Sequence, residues 1–197
     1  ENKIVFNIWQ IKDFKTFKTY IIDKSMSKFR LFLLNIIYPK WLFHYIVCSK
    51  AKSHGKIKIR RYSTVNRGTV LGDQISIGGI HIVGKGNCYI GNYVHIGTDC
   101  QILTDYHNYD GGSKIPYDET WVVEDVTVGD FVWLGNNVII LAGVTIGEGS
   151  IIQAGSVVVN DIPPMAIAGG HPAKVFKFRD IDHFQKLKRE GKFLMLD

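Results

Sequence analysis

Residues 126–158 read VTVGDFVWLGNNVIILAGVTIGEGSIIQAGSVV, and a large aliphatic residue returns at every sixth position: Val128, Leu134, Ile140, Ile146, Ile152 and Val158. Two places before each stands a small or β-branched residue: Val126, Val132, Val138, Val144, Ser150 and Ser156. Neither the helical period nor the strand period produces a repeat of six. A solenoid with one short strand and one turn per repeat does. A second run precedes this one: Val65, Leu71, Ile77 and Val83, then, after a one-residue slip, Ile90, Ile96 and Ile102. Three hexads close one triangular coil, and the count of hexads predicts between four and five coils. Glycine follows many of the repeat residues, as at Gly97 and Gly135, which reads as turns needing positive φ.

Between the two runs, residues 103–125 break the period and contain Tyr106, His107, Tyr109, Tyr117 and Trp121. An insertion of this length in a compact domain usually carries function, and its aromatic content predicts an ordered arm leaving the prism wall. Residues 1–56 lack the six-residue period. There Phe14, Phe17 and Ile21, then Phe29, Phe32, Leu33, Ile36 and Ile37, fall at helical spacing. They predict two or three amphipathic helices, broken near Ser25 and Pro39. Such an extension would cap the first coil, which otherwise exposes apolar side chains and strand edges. Basic residues beside Trp41, Phe43 and Tyr45 also suit a peripheral membrane contact. After Val158 the Asn160-Asp161-Ile162-Pro163-Pro164 sequence stops the last strand, and Ile181, Phe184 and Leu187 predict a closing helix over 180–190. The organisation expected is an all-β core: a helical extension at 1–56, a solenoid at 57–162 with the insertion 103–125, and a tail at 163–197 with a short helix.

A chain of 197 residues with 46% hydrophobic content supports one domain with a continuous core. The net charge of +6 gathers in the first 61 residues and in 174–192, leaving the solenoid body nearly neutral. These clusters read as solvated faces, or as sites for an anionic surface or phosphorylated ligand; no nucleic-acid partner is expected. Cys48, Cys88 and Cys100 show no metal-ligand spacing, and the last two take the small-residue slot of the repeat. They read as packed free thiols in a reducing compartment. The most apolar window, 29–47, is interrupted by Arg30, Asn35, Pro39, Lys40 and His44, against a transmembrane span. The opening residues have no signal-peptide arrangement, and the first is Glu1 rather than Met, which leaves trimming open.

The hexads, TDYHNYD at 104–110, the run 132–164 and AIAGGHPAKV at 166–175 occur in this order. Together they resemble the hexapeptide-repeat acyltransferases, nearest the galactoside, maltose and capsule or O-antigen O-acetyltransferases, with xenobiotic acetyltransferases close by. The resemblance covers 57–180 and not the first 55 residues. It implies a left-handed parallel β-helix, a homotrimer with active sites between subunits, and acetyl-CoA as co-substrate lying along the prism wall, with no metal.

The resemblance also assigns roles. A sugar hydroxyl is a poor nucleophile, and an imidazole in reach can take its proton as it attacks the thioester; His107 stands in the family's position for that base. Asp105, Asp110 or a loop carbonyl would hold its tautomer. Trp133, whose ring should point outward before Leu134, together with Tyr106 and His81, are candidate substrate or donor contacts. Asn136, Ala142, Gly143, Ser150, Ala154 and Gly155 match the CoA groove, with a backbone N–H near Ala142 or Gly143 for the developing oxyanion. Lys174, with Lys177 or Arg179, would meet the CoA phosphates. One departure stands out: the Asn that helps hold a galactoside acceptor falls near Gly79, beside His81, and is absent.

The function expected is acetyl-CoA-dependent O-acetylation of a carbohydrate hydroxyl in bacterial surface polysaccharide synthesis, in the cytoplasm or at the inner face of the membrane. Alternatives are N-acetylation of a nucleotide-linked amino sugar, O-acetylation of a xenobiotic such as an antibiotic, and a non-enzymatic scaffold on the same fold. A γ-class carbonic anhydrase needs about three zinc ligands. His81, His95 and His107 lack the close pairing of that class.

Overall fold

The computed structural model describes residues 40–197, with side chains from Phe43 onward. The helices predicted before residue 40, with their break at Ser25, lie outside the described residues. What is described begins with helix α1 (Lys40–Cys48). Its Phe43 and Val47 are buried on the first coil, Phe43 meeting Tyr62 edge to face at 6.0 Å. This helix covers the first coil. Because the Phe43 ring is spent in that contact, it is not available to a membrane surface.

From Lys52 the chain winds through a left-handed parallel β-helix with three walls. Wall A stacks Lys52–Ser53, Thr69–Leu71, Cys88–Ile90, Val126–Val128 and Thr145–Ile146. Wall B stacks Ile57–Ile59, Ile75–Ile77, His95–Ile96, Trp133–Leu134, Ile151–Ile152 and Ala166–Gly170 in parallel, and Ala173–Phe178 then folds back antiparallel. Wall C stacks Ile80–Val83, Cys100–Leu103, Ile139–Ile140 and Val157–Val158. Six parallel strands on wall B make about six coils, against the four to five expected. The hexad count missed those that begin at Lys52 and those that continue through the Ile146–Ile162 bridge to Ala166–Gly170. At the first end Lys52 and Ser53 form a strand with no aliphatic residue, and at the last end the small Ala166 and Ala168 fill the buried slots, so an aliphatic pattern registers neither.

The core is the repeat itself. Leu134, Ile140, Ile146, Ile152 and Val158 are fully buried, as are Val126, Val138, Ser150 and Ser156 beside them. Each such Leu or Ile contributes about 1.5–3 kcal/mol relative to exposure. Burial pushes the Cys88 thiol up to about 12, as fits an inert packed side chain.

Two readings of the repeat need correction. Ile82, not Val83, is the inward residue of its hexad; Ile82 is buried, whereas Val83 is 45% exposed. The turn at Gly78-Gly79 is one residue shorter than its equivalents at 97–99 and 135–137, so the inward pair becomes Ile80 and Ile82, and His81 faces outward. The second correction concerns glycine. A Cβ on Gly135 would lie 2.5 Å from the Ala154 nitrogen, and one on Gly97 would lie 2.6 Å from the Asn136 nitrogen. These glycines are required by the close stacking of turns. The positive φ falls two residues later, on Phe131 and Asn137 for example.

The chain closes with α2 (Ile181–Arg189), as predicted. The Asp180 side chain caps it by accepting the His183 N–H. Phe193 then packs against Tyr93 and Phe131, and the Leu196 N–H donates to Gln74 Oε1. Among the described residues, no helix is long and apolar enough to cross a membrane.

Candidate active site

The insertion is an ordered arm that leaves the prism at the edge where wall C turns into wall A. Its root is a two-stranded antiparallel ribbon, Asp105–His107 with Trp121–Val123, in which His107 lies directly opposite Trp121. The two rings meet at a tilt of 35° with centroids 4.0 Å apart. Tyr117 covers the imidazole as well, at 3.7 Å and nearly parallel.

Asp118 builds the turn that delivers Tyr117. Its carboxylate accepts the N–H and hydroxyl of both Thr120 and Ser113. These bonds, Thr120 foremost, hold the Asp118 carboxyl well below the usual carboxylate range. The arm is tied to the solenoid by Lys85, whose N–H donates to Asp105 Oδ2 at 3.0 Å and whose ammonium lies 4.6 Å from the Trp121 ring centre.

Asp105 is therefore turned to the Lys85 backbone, and Asp110 makes no hydrogen bond to the imidazole. Neither carboxylate orients His107 within this chain, and no loop carbonyl does so. His107 Nδ1 is buried and has no hydrogen-bond partner among the described residues. Leaving such a group unpaired costs about 1–3 kcal/mol. Nε2 is the ring nitrogen left open. Tyr106 alternates to the opposite face of the ribbon and stacks toward Tyr109, away from the imidazole.

The remaining candidates fall into separate places. Ala142 and Gly143 occupy the turn next above the arm on the same edge, where a Cβ on Gly143 would meet Glu124 Oε2 at 2.8 Å. Asn136, Ala154 and Gly155 share the edge between walls B and C. Asn136 already spends its side-chain oxygen on the Thr98 N–H, at 2.9 Å. Lys174 is exposed, opposite Gly169 on the antiparallel strand at the end of the prism.

Ser150 corrects the groove set. It is fully buried, and its hydroxyl donates to the Pro163 carbonyl at 2.8 Å, so it offers nothing to a ligand on the wall. Arg179 is also committed, donating to the Gly149 carbonyl and lying over the Phe184 ring. It lines a cavity of about 620 Å³ with Trp133, His95, Tyr93 and Phe193, roofed by α2 and the segment after it. Trp133 is 56% exposed there, between His95 and Ile151 on wall B.

His81 is a satisfied wall histidine: its Nδ1 lies 3.0 Å from Thr64 Oγ1, and burial holds its pKa below the ordinary value. His81, His95 and His107 lie on wall C, wall B and the arm. No three metal-ligating side chains converge among the described residues.

Sequence reasoning missed Tyr117, Trp121, Lys85 and Asp118 as parts of the histidine's surroundings. Aromatic content marked the arm as ordered, but the eleven residues between Asn108 and Thr120 have no period from which a hairpin register follows.

The comparisons agree with this architecture. Residues 125–160 match the family model described as bacterial transferase hexapeptide (six repeats). A candidate acetyltransferase of Schizosaccharomyces pombe is 46% identical over 85 residues, 43% of this chain and 40% of that protein. The chain thus spans well under half the length of that curated relative. A hexapeptide-repeat acetyltransferase of Vibrio cholerae O1 biovar eltor, solved in complex with acetyl-CoA, superposes with a TM-score of 0.62 at 27% identity, over 76% of this chain and 83% of that one. A maltose O-acetyltransferase of Clostridium difficile 630 gives a TM-score of 0.57 at 26% identity, over 86% and 91%. Residues 125–160 thus match the hexapeptide-repeat model, and the chain has the β-helix fold of these acetyltransferases.

Proposed function

We propose that this protein is an acetyl-CoA-dependent O-acetyltransferase acting on a sugar hydroxyl in bacterial surface polysaccharide synthesis, at the cytoplasmic side of the membrane. The observation that carries the reading is His107: a ring held on an arm beside the Ala142–Gly143 turn, one nitrogen open and the other buried without a partner. The likeness to a Vibrio enzyme holding acetyl-CoA and to a maltose O-acetyltransferase supports the donor and the acceptor class.

In the reaction, His107 Nε2 takes the acceptor hydroxyl proton as that oxygen attacks the thioester carbonyl carbon. The C–S bond breaks, and the CoA sulfur leaves and receives the proton from the imidazolium. A backbone N–H near Ala142 or Gly143 meets the carbonyl oxygen as it gains charge. Asn136, Ala154 and Gly155 carry the pantetheine arm, and Lys174 faces the CoA phosphates.

Within one chain Trp133 stands on wall B, and His107 leaves from the edge between walls C and A. A homotrimer with sites between subunits brings the two together.

Acetyl-CoA turnover across a panel of sugars, amino sugars and antibiotics, followed by thiol release, tests the reading. A sugar hydroxyl is expected to turn over fastest, and His107→Ala to lower kcat by about 10²–10⁴. A His107→Ala protein working at full rate would remove the base, and a trapped acetyl-enzyme would remove direct transfer.

A further inference from the structure

The arm grips its histidine with rings and not with a carboxylate. An imidazole is normally oriented by a hydrogen bond on its non-reacting nitrogen, because rotation about its χ2 is otherwise broad. Among the described residues His107 has no such bond. What it has instead is a face against Tyr117 at 3.7 Å and 14° and another contact with Trp121 at 4.0 Å and 35°. Rings this close leave no space for the imidazole to turn edge-on between them.

Each ring is itself fixed from outside the pair. Trp121 is set by ribbon register opposite His107 and covered by the Lys85 ammonium. Tyr117 is set by the four hydrogen bonds that converge on Asp118 one residue later. The fastening is indifferent to which ring nitrogen carries the proton, so it holds the plane while the proton moves.

We infer that Tyr117 and Trp121 are positioning residues that clamp the imidazole plane of His107 and aim Nε2 out of the arm, with Asp118 as the staple that sets Tyr117. The inference rests on the reading of His107 as the base. Freeing the ring would leave acetyl-CoA binding intact and spoil alignment in the reacting complex. A misplacement of about 1 Å in such a complex costs about 10²-fold in rate.

The test uses the full chain, acetyl-CoA and the panel sugar that turns over fastest. Tyr117→Leu and Trp121→Leu are expected to lower kcat by about 10²-fold with the KM for acetyl-CoA unchanged. Tyr117→Phe and Trp121→Phe recover most of that loss, because a planar face suffices. In parallel, the His107 ring-proton resonances, assigned by their disappearance in His107→Gln, lie upfield in the unaltered chain and move downfield in each leucine variant.

Leucine variants that keep kcat while His107→Ala is inactive overturn the clamp and leave the base standing. Phenylalanine variants as impaired as the leucine variants also overturn it. An active His107→Ala defeats the base reading instead, and the ring-proton shifts then decide separately whether the rings hold the imidazole.

Discussion

Replacing Gly135 by alanine should separate close stacking from backbone conformation as the reason for the repeat glycines. The added Cβ would lie 2.5 Å from the Ala154 nitrogen, 2.8 Å from its Cα and 3.0 Å from the Gln153 carbonyl carbon. All three are backbone atoms of the next coil, so no side chain can swing away. Relief requires two turns to part, although the Gly135 N–H is bonded to the Ile152 carbonyl at 2.8 Å. Overpacking costs about 1–3 kcal/mol, and a rigid backbone neighbour places this case at the upper end. At about 2–4 °C per kcal/mol for a chain of this size, Gly135→Ala should melt about 4–12 °C lower. Gly155 is the contrast: its φ is +74°, and nothing lies within 4 Å of an added Cβ. There only the left-handed backbone is strained, at roughly 1–2 kcal/mol. Calorimetric melting of the full chain compares the two. A Gly135→Ala protein that melts at or above Gly155→Ala would refute the stacking argument.

Other outcomes follow from the site. Ser150→Ala takes the hydroxyl donor from the Pro163 carbonyl, which keeps the Ala166 N–H, so the urea midpoint should fall by the equivalent of about 0.5–1.5 kcal/mol while the KM for acetyl-CoA stays the same; a raised KM at unchanged stability would return Ser150 to the groove. Asp118→Ala should lower kcat as Tyr117→Leu does, because the turn that carries Tyr117 loses its common acceptor. The same carboxylate makes the arm acid-sensitive. Its folded pKa is depressed, so its contribution is complete above the unfolded value of about 3.9 and disappears as the pH falls through the folded one. Hydrogen-exchange protection of the Ser113 and Thr120 amides, which donate to Asp118, should hold steady between about pH 7 and 5 and weaken only below about pH 4; loss already near pH 6 would show that another group governs the arm.

The hydrophobic period determined the fold without help from any distant contact. A repeat of six has one economical solution, and Val128 through Val158 are buried where the spacing puts them. The outward direction of Trp133 and the closing helix at Ile181–Arg189 follow from the same local reasoning. Where the period weakens, sequence reasoning slipped by one residue, because a two-residue turn at Gly78-Gly79 exchanged Val83 for Ile82 and turned His81 outward.

The surroundings of His107 are a different kind of fact. Chain order singles out His107 and shows that it stands on an insertion, but Asp105 and Asp110, its neighbours in sequence, are not its neighbours in space. The ribbon's pairing decides which side chain faces the imidazole, and that pairing depends on a turn built by Asp118 with no periodic signature. Likewise the small residues that look like one groove belong to two edges of a prism, with Ser150 inside it. Periodic burial is set residue by residue and can be read along the chain. The histidine's setting is made by residues far apart in that chain, and only the folded coils bring them together.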